Sequence, residues 1–188
     1  MPQREWQLDL ATLPILIVDD NKYACRLLST ILRAAGAVEL RTCARPQDAL
    51  DIMMTWNAGL ILTDFLMKPM DGLAFSRTLR TKREYGFLAK PIVMMTAETP
   101  TQSFIKEVKG AGVDVLVTKP ISPADLLKRM DWALVQARKR TEDAFKLAKE
   151  AQKAKIAEAN GAKTVPPHTA SKSPASPSRD ANGDWVLD

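Results

Sequence analysis

The sequence predicts an α/β fold built on an open, doubly wound parallel sheet. Two observations support this prediction: five short apolar runs alternate with longer amphipathic runs between residues 12 and 137, and most of the short runs carry almost no polar residue. Apolar runs of this kind are typical of parallel strands buried on both faces, and regular alternation with helices is typical of a parallel sheet covered by helices. We therefore expect five strands and five helices in one domain over residues 12–137, after an N-terminal extension over residues 1–11.

The five apolar runs are the expected strands. Four of them are almost wholly apolar, which favours central positions in the sheet. The second run mixes polar and apolar residues, which favours a sheet edge. In chain order the runs are Ile15–Val18, Val38–Thr42, Leu60–Thr63, Ile92–Met95 and Val113–Val117.

Four helices follow the first four strands, as indicated by helical spacing of apolar residues together with start and stop signals. The first helix follows Asn21 and ends at Gly36, a usual C-terminal breaker. The second opens at Pro46, because proline suits the first helical position. The third and fourth follow Gly72 and Thr101.

The fifth helix is expected to be unusually long. It begins after Ser122, which is followed by a proline and an acid in the first turn, and no glycine or proline interrupts the chain from Ala124 until Gly161. We therefore predict a helical extension over residues 138–160. Residues at alternating spacings of four and three along this helix form an alanine-rich heptad seam. They are Leu126, Met130, Ala133, Ala137, Arg140, Ala144, Leu147, Ala151, Ala154 and Glu158.

Two interpretations of this seam remain open. The helix over residues 124–158 could pair with a second copy or a partner helix, or it could be a solvated single helix stabilised by its own propensity, because alanine buries little area. The tail over residues 161–188 is rich in proline, serine and alanine and is predicted to be disordered. Within it, Asp184–Asp188 encloses a tryptophan and is a candidate docking peptide.

Polar residues gather where the predicted strands end. Asp19 and Asp20 follow the first strand, Asp64 the third, Thr96 the fourth and Lys119 the fifth. Ligands of open parallel sheets bind at this edge. Three neighbouring carboxylates repel one another and favour a hard cation such as Mg²⁺, while a lysine and a hydroxyl offer charge and a hydrogen bond to phosphoryl oxygens. The pattern therefore predicts a phosphoryl site with Mg²⁺ as cofactor.

These motifs resemble the receiver domain of bacterial two-component response regulators. The resemblance covers Leu13 to about Ala137. It implies a flavodoxin-like fold and a phosphorylation switch that catalyses its own phosphorylation and dephosphorylation, rather than an enzyme acting on a separate substrate. The motifs that carry it, all in the expected order, are Ile15–Asn21, Leu62–Asp64, Met70–Gly72, Met95–Ala97 and Thr118–Pro120.

The resemblance also implies a role for each site residue. Asp64 would accept a phosphoryl group from a histidine kinase or a histidine phosphotransfer protein. The Mg²⁺ ligands would be the side chains of Asp19, Asp20 and Asp64 and the backbone carbonyl of Leu66. Thr96 and Lys119 would bind phosphoryl oxygens, and the peptide bond before Pro120 would be cis.

The sequence departs from the family pattern at three places. Leu116 stands where the family has an aromatic residue that couples the site to the output surface. Pro69 is displaced by one position from the usual proline of the loop, so the loop shape is expected to differ. Leu66 is apolar where the family often has a polar side chain that helps the hydrolytic water, which favours a long-lived phosphorylated state.

Composition narrows the functions further. One histidine and two cysteines argue against zinc sites and histidine-based triads, and no apolar stretch is long enough to span a membrane. We expect a soluble cytoplasmic protein in a phosphorelay that acts on a downstream protein target. One alternative is a regulator whose basic C-terminal helix and tail bind nucleic acid or an acidic partner, although the net charge of +5 and the scarcity of aromatic residues there disfavour nucleic acid. Another is a receiver that acts only as a scaffold.

Overall fold

The computed structural model describes residues 8–82 and 89–159 and two short tail segments, 178–179 and 185–186. Five strands and five helices alternate along the chain, which confirms the α/β prediction. The strands are β1 Ile15–Val18, β2 Leu40–Cys43, β3 Leu60–Asp64, β4 Ile92–Thr96 and β5 Val115–Thr118. The helices are α1 Lys22–Ala34, α2 Pro46–Thr55, α3 Gly72–Thr81, α4 Gln102–Gly110 and α5 Pro123–Ala159.

The five strands form a parallel sheet in the order β2-β1-β3-β4-β5. The chain leaves β1 toward β2 and then crosses back to β3, so strand order reverses between β1 and β3. Val18 lies beside Thr63 in the register, which sets the residues after β1 next to the end of β3. This reversal is where open parallel sheets place their ligands.

The sheet is covered on both faces, and alternate residues of each strand serve the two layers. On one face, strand residues pack with α2, α3 and α4; on the other, they pack with α1 and α5. In β3, for example, Ile61 faces the first layer, whereas Leu60 and Leu62 face the second. The double cover explains why β1, β3 and β4 are fully buried along their length, while β2 at the edge is half-exposed.

The last helix is a single element of 37 residues, as the sequence predicts. Its early seam positions Leu126, Met130, Ala133 and Ala137 are buried against the rest of the domain. Farther along, Phe145 and Leu147 are exposed. The first half of the heptad seam therefore packs within the molecule, and pairing through residues 124–158 stays a prediction. In the described part of the chain, no helix is long and apolar enough to cross a bilayer.

Two strands begin two residues later than the sequence predicts. β2 begins at Leu40 instead of Val38, and β5 begins at Val115 instead of Val113. The Val38 side chain is 64% exposed and does not pack in either apolar layer, so burial does not extend β2 to this residue. Before β5, the turn at Gly112 and the side-chain bonds of Asp114 occupy the residues that were expected to extend the strand.

A buried ion cluster ties the amino-terminal ends of β4 and β5 to two helices. The Asp114 carboxylate accepts hydrogen bonds from Arg80 of α3 at 3.2 Å and from the Ile92 backbone N–H at 2.8 Å, and it also pairs with Arg140 of α5. The Asp114 side chain is 2% exposed. Burial, together with the charge of Arg140, lowers the pKa of Arg80 to about 10, which leaves its guanidinium charged at pH 7.

The tail differs from the disorder predicted for residues 161–188 at four residues. Ser178–Arg179 (β6) and Trp185–Val186 (β7) are two-residue strands, and β7 pairs with the outer edge of β5 in the antiparallel sense. The unpaired backbone groups at that edge accept a further strand, and Trp and Val favour the extended backbone that this requires. The rest of the predicted disordered tail lies outside the described residues.

Candidate functional site

A lysine joins two carboxylates at the carboxyl edge of the sheet. Lys119 Nζ lies 2.6 Å from Asp64 Oδ1 and 3.1 Å from Asp19 Oδ2. Both aspartates are buried, with exposures of 9% for Asp64 and 1% for Asp19. The fold thus brings together three residues that the sequence places after three different strands.

The second oxygen of each carboxylate is held by the backbone. Asp64 Oδ2 accepts the Leu66 N–H at 2.9 Å, and Asp19 Oδ1 accepts the Asn21 N–H at 2.9 Å. Asn21 also caps α1 through its side chain. Because each carboxylate is tied at one oxygen to Lys119 and at the other to an amide, both are oriented before any ligand arrives.

Burial and charge act against each other in this group. Burial raises the pKa of Asp64, with a further rise from the charge of Asp19, and this outweighs the lowering by Lys119. Burial lowers the pKa of Lys119, but its hydrogen bond to Asp64 and the charges of both aspartates outweigh that effect and raise it. The pair is charged, because the 2.6 Å between Lys119 Nζ and Asp64 Oδ1 is typical of a charge-assisted hydrogen bond.

The other predicted residues lie at the same carboxyl edge of the sheet. Thr96 ends β4, is buried, and accepts the Glu98 N–H at its Oγ1 at 3.1 Å. The side chain of Asp20 is exposed, and so is that of Leu66. Across residues 8–82 and 89–159, no three His, Cys, Asp or Glu side chains are arranged to hold a metal ion. Of the three predicted carboxylates, two therefore meet, at Lys119.

Leu116 lies in the middle of β5 and is 1% exposed. It belongs to the apolar layer on the α4 side, together with Ile105 and Val108 of that helix. A different contact links the site to α4: the ring of Phe65, next to Asp64, packs edge-on against Phe104 at 4.7 Å between centroids. Neither phenylalanine lies in a recognisable motif, so this contact could not be predicted from the sequence.

Two X–Pro peptide bonds beside the site are cis. One is Lys119–Pro120, and the other is Lys68–Pro69, in the loop where the proline is displaced from the family pattern. The second was not predicted from the sequence. Both bonds lie in loops that leave the carboxyl edge of the sheet.

Gly72, which the sequence identifies as the start of the third helix and as part of the Met70–Gly72 motif, also supports the site. A Cβ on Gly72 would lie 2.3 Å from the backbone carbonyl oxygen of Asp64 and 3.2 Å from the Phe65 Cα. The Gly72 N–H donates to the Phe65 carbonyl at 2.9 Å, and Asp71 caps α3 by accepting the Ala74 N–H. The start of α3 therefore packs directly on the backbone that carries Asp64.

We expect Gly72→Ala to lower the free energy of unfolding by about 1–3 kcal/mol, because the added methyl group must displace backbone atoms rather than a flexible side chain. Urea unfolding measures the change. The control is Gly110→Ala, since a Cβ there meets nothing within 4 Å and alanine favours the helix. We expect the control to be neutral or slightly stabilising, and equal effects of the two substitutions would contradict the close approach at Gly72.

Comparison with known proteins assigns this arrangement to a family. The profile of the response regulator receiver domain matches residues 15–131, which include every strand of the parallel sheet. They also include Asp19, Asp64 and Lys119, which together are called the Lys119 group. The chain belongs to the response regulator receiver domain family. The receiver domain serves phosphorylation-based signalling, and the family implies interaction with histidine kinases or phosphotransfer proteins. The match does not favour the alternative of nucleic-acid binding.

Two curated relatives match this receiver over different shares of their own length. Chemotaxis protein CheY-3 of Vibrio cholerae is 30% identical over 117 residues, which cover 62% of this chain and 88% of that protein. The transcriptional regulatory protein GltR of Pseudomonas aeruginosa is 30% identical over 123 residues, or 65% of this chain and 49% of that protein. The matched part therefore spans about half the length of GltR.

Solved receivers share the fold. Chemotaxis response regulator CheY4 of Vibrio cholerae has a TM-score of 0.58 and 31% identity, covering 65% of this chain and 98% of the other. A response regulator from Chloroflexus aurantiacus has a TM-score of 0.60 and 28% identity, again covering 65% and 98%. The family profile ends at Asp131, so most of α5 and the tail lie outside it.

Proposed function

We propose that this receiver accepts a phosphoryl group on Asp64 from a histidine kinase or a histidine phosphotransfer protein and responds by changing its contacts with a downstream protein. The observation that carries this proposal is the position of Lys119 Nζ between Asp64 and Asp19. A buried carboxylate beside a cation, at the reversal point of the sheet, is suited to covalent phosphoryl chemistry.

The transfer is an in-line displacement at phosphorus. A carboxylate oxygen of Asp64 forms the new P–O bond while the P–N bond to the donor histidine breaks, and the imidazole leaves with the bonding electron pair and takes up a proton. The Lys119 ammonium, now bound to Asp64 Oδ1, is within reach of the oxygens on an incoming phosphoryl group. Stabilising their charge in the transition state is its part in the reaction.

The donor set fits Mg²⁺, which prefers oxygen ligands, accepts few of them from the protein and keeps several waters. We propose that Asp19, Asp20 and Asp64 and the backbone carbonyl of Leu66 hold it. The exposed Asp20 is adjacent in sequence to the buried Asp19, so its carboxylate would be the solvent-facing member of this set. When bound, the cation neutralises charge on the transferring group.

The phosphoryl group then recruits Thr96. Its hydroxyl oxygen accepts the Glu98 N–H, which leaves the hydroxyl proton for a phosphoryl oxygen. Such a bond draws the loop after β4 toward Asp64. Since Leu116 has no aromatic ring to report this movement, we propose that the Phe65–Phe104 contact transmits it to α4. The chain is accordingly a switch rather than an enzyme acting on a separate substrate.

Intact-mass spectrometry tests the proposal. After incubation with Mg²⁺ and acetyl phosphate, we expect the wild-type chain to gain one phosphoryl group and Asp64→Asn to gain none. Asp71→Asn is the matched control, because Asp71 caps α3 outside the Lys119 group and asparagine also caps helices. Equal gain by Asp64→Asn and the wild type would refute Asp64 as the acceptor. So would a wild-type chain that takes nothing from acetyl phosphate or from a phosphohistidine donor.

A further inference from the structure

The outer edge of β5 is occupied by the chain itself. β5 is the last of the five parallel strands, and beyond it come β7 and then β6, both antiparallel pairings. Val115 of β5 lies opposite Val186 of β7. Sheet edges present rows of N–H and C=O groups that can pair with any extended segment, so this edge is an acceptor for a peptide strand.

The direction of the β5 backbone groups shows what Val186 contacts. The Asp114 N–H donates to the Ile92 carbonyl, toward β4. Because successive backbone groups of a strand point to opposite sides, those of Val115 point away from β4 and toward β7. Opposite residues of an antiparallel pair exchange both N–H to O=C bonds when their backbone groups point toward the partner strand, and exchange none when those groups point away. Val115 and Val186 therefore form a hydrogen-bonded pair.

Among the described residues, β7 is joined to β5 at Val186. β4 and β5 are paired at four register positions, and Val115↔Val186 is the pair that the described residues give for β5 and β7. A competing extended segment would have to replace this pair in order to add a strand to β5.

A cavity of about 730 Å³ lies at the amino-terminal end of β5, between the end of α4 and the middle of α5. The Gln136 amide lines it, is 8% exposed, and its Nε2 has no hydrogen-bond partner among the described residues. Charged residues of both signs also line it, with cations in excess: Lys109, Lys139 and Arg140 against Asp114 and Asp143.

The sequence that follows β7 is complementary to this cavity. β7 runs antiparallel to β5, so the chain at Val186 is directed toward the Asp114 end, where the cavity opens. The next two residues are Leu187 and Asp188. An apolar side chain and a carboxylate match a cavity that has excess positive charge and a buried amide donor without an acceptor.

We propose that the C-terminal segment, residues 178–188, is an intramolecular occupant of the β5 edge, and that a signalling partner which adds a strand to this edge must displace it. The displacing partner has the chemistry of the segment itself: an extended peptide with apolar residues between acidic ones. The segment thereby closes a docking surface until a stronger competitor arrives.

Amide hydrogen exchange followed by NMR on the full chain tests the occupancy. Val186→Pro removes the N–H that bonds to Val115, whereas Val186→Thr keeps it and favours strands equally well. We expect the Val115 amide to exchange about tenfold faster or more in the proline variant only. The Leu116 amide, which faces β4, should not change. Unchanged exchange at Val115 would overturn the proposal.

A labelled synthetic peptide of residues 178–188 tests the competition. We expect it to bind full-length Val186→Pro about tenfold more tightly than the wild type, whose own segment competes, while Val186→Thr binds like the wild type. Equal affinity for all three chains would contradict intramolecular competition. Protection of Val115 that grows with protein concentration would assign the edge to a second copy and likewise overturn the proposal.

Discussion

Asp114→Ala is expected to lower the free energy of unfolding by about 3–5 kcal/mol, the usual cost of removing one partner from a buried ion cluster. The substitution leaves the guanidinium groups of Arg80 and Arg140 next to each other without their shared anion. It also removes the acceptor of the buried Ile92 N–H. Urea unfolding measures the change through the shift in midpoint at constant slope.

The control for this prediction is a similar ion pair at the surface. Arg77 binds Glu107 at 3.0 Å, but both side chains are about half-exposed, at 50% and 51%. Solvent screening limits such pairs to about 0–1 kcal/mol, so we expect Arg77→Ala to have little effect. If Asp114→Ala and Arg77→Ala cost the same, the buried cluster does not stabilise the fold in the way its geometry indicates.

Lys119→Met is expected to slow phosphoryl uptake by about 100- to 1000-fold, the usual effect of removing one preorganised donor from a transition state. Methionine keeps the apolar stem but removes the ammonium group that lies between Asp64 and Asp19. The rate of mass gain with acetyl phosphate measures the effect. Lys68→Met, at an exposed lysine in the loop after β3, is the matched control and should react like the wild type.

A stability measurement separates this role from a merely structural one. Without its ammonium group, Lys119→Met leaves two buried carboxylates facing each other, so its free energy of unfolding should fall. Adding Asp64→Asn removes that repulsion and should restore part of the stability without restoring uptake. A Lys119→Met chain that is destabilised but takes up phosphoryl groups at the wild-type rate would contradict a catalytic role.

The parts of the fold that depend on local pattern could be predicted from the sequence. β1, β3 and β4 follow from apolar runs bounded by polar residues, because strands covered on both faces tolerate little else. The start of β5 was misplaced because Asp114 bonds to arginines that lie 26 and 34 residues away in sequence. Arg140 illustrates the same limit: its spacing assigns it to a heptad seam, whereas the structure pairs it with Asp114.

The candidate site divides in the same way. Asp19, Asp64 and Lys119 could be predicted to meet, since the carboxyl ends of parallel strands share one edge. The support from Gly72 could not, because its closeness to the Asp64 carbonyl depends on how α3 packs. Nor could β7 be foreseen, since a two-residue strand takes its stability from an edge built by distant residues.

The last part of α5 extends well beyond the residues that pack against the sheet. After Arg140, the helix continues to Ala159, and most side chains described along it are exposed. At 1.5 Å per residue, those nineteen further residues amount to a rod of about 28 Å. A tilt of about 6° at its root would move its tip by about 3 Å, close to the length of a hydrogen bond. The pair of Arg140 with Asp114 anchors the start of this exposed part of α5. A rearrangement at that pair that is too small to disturb the core would therefore produce a measurable displacement at Ala159.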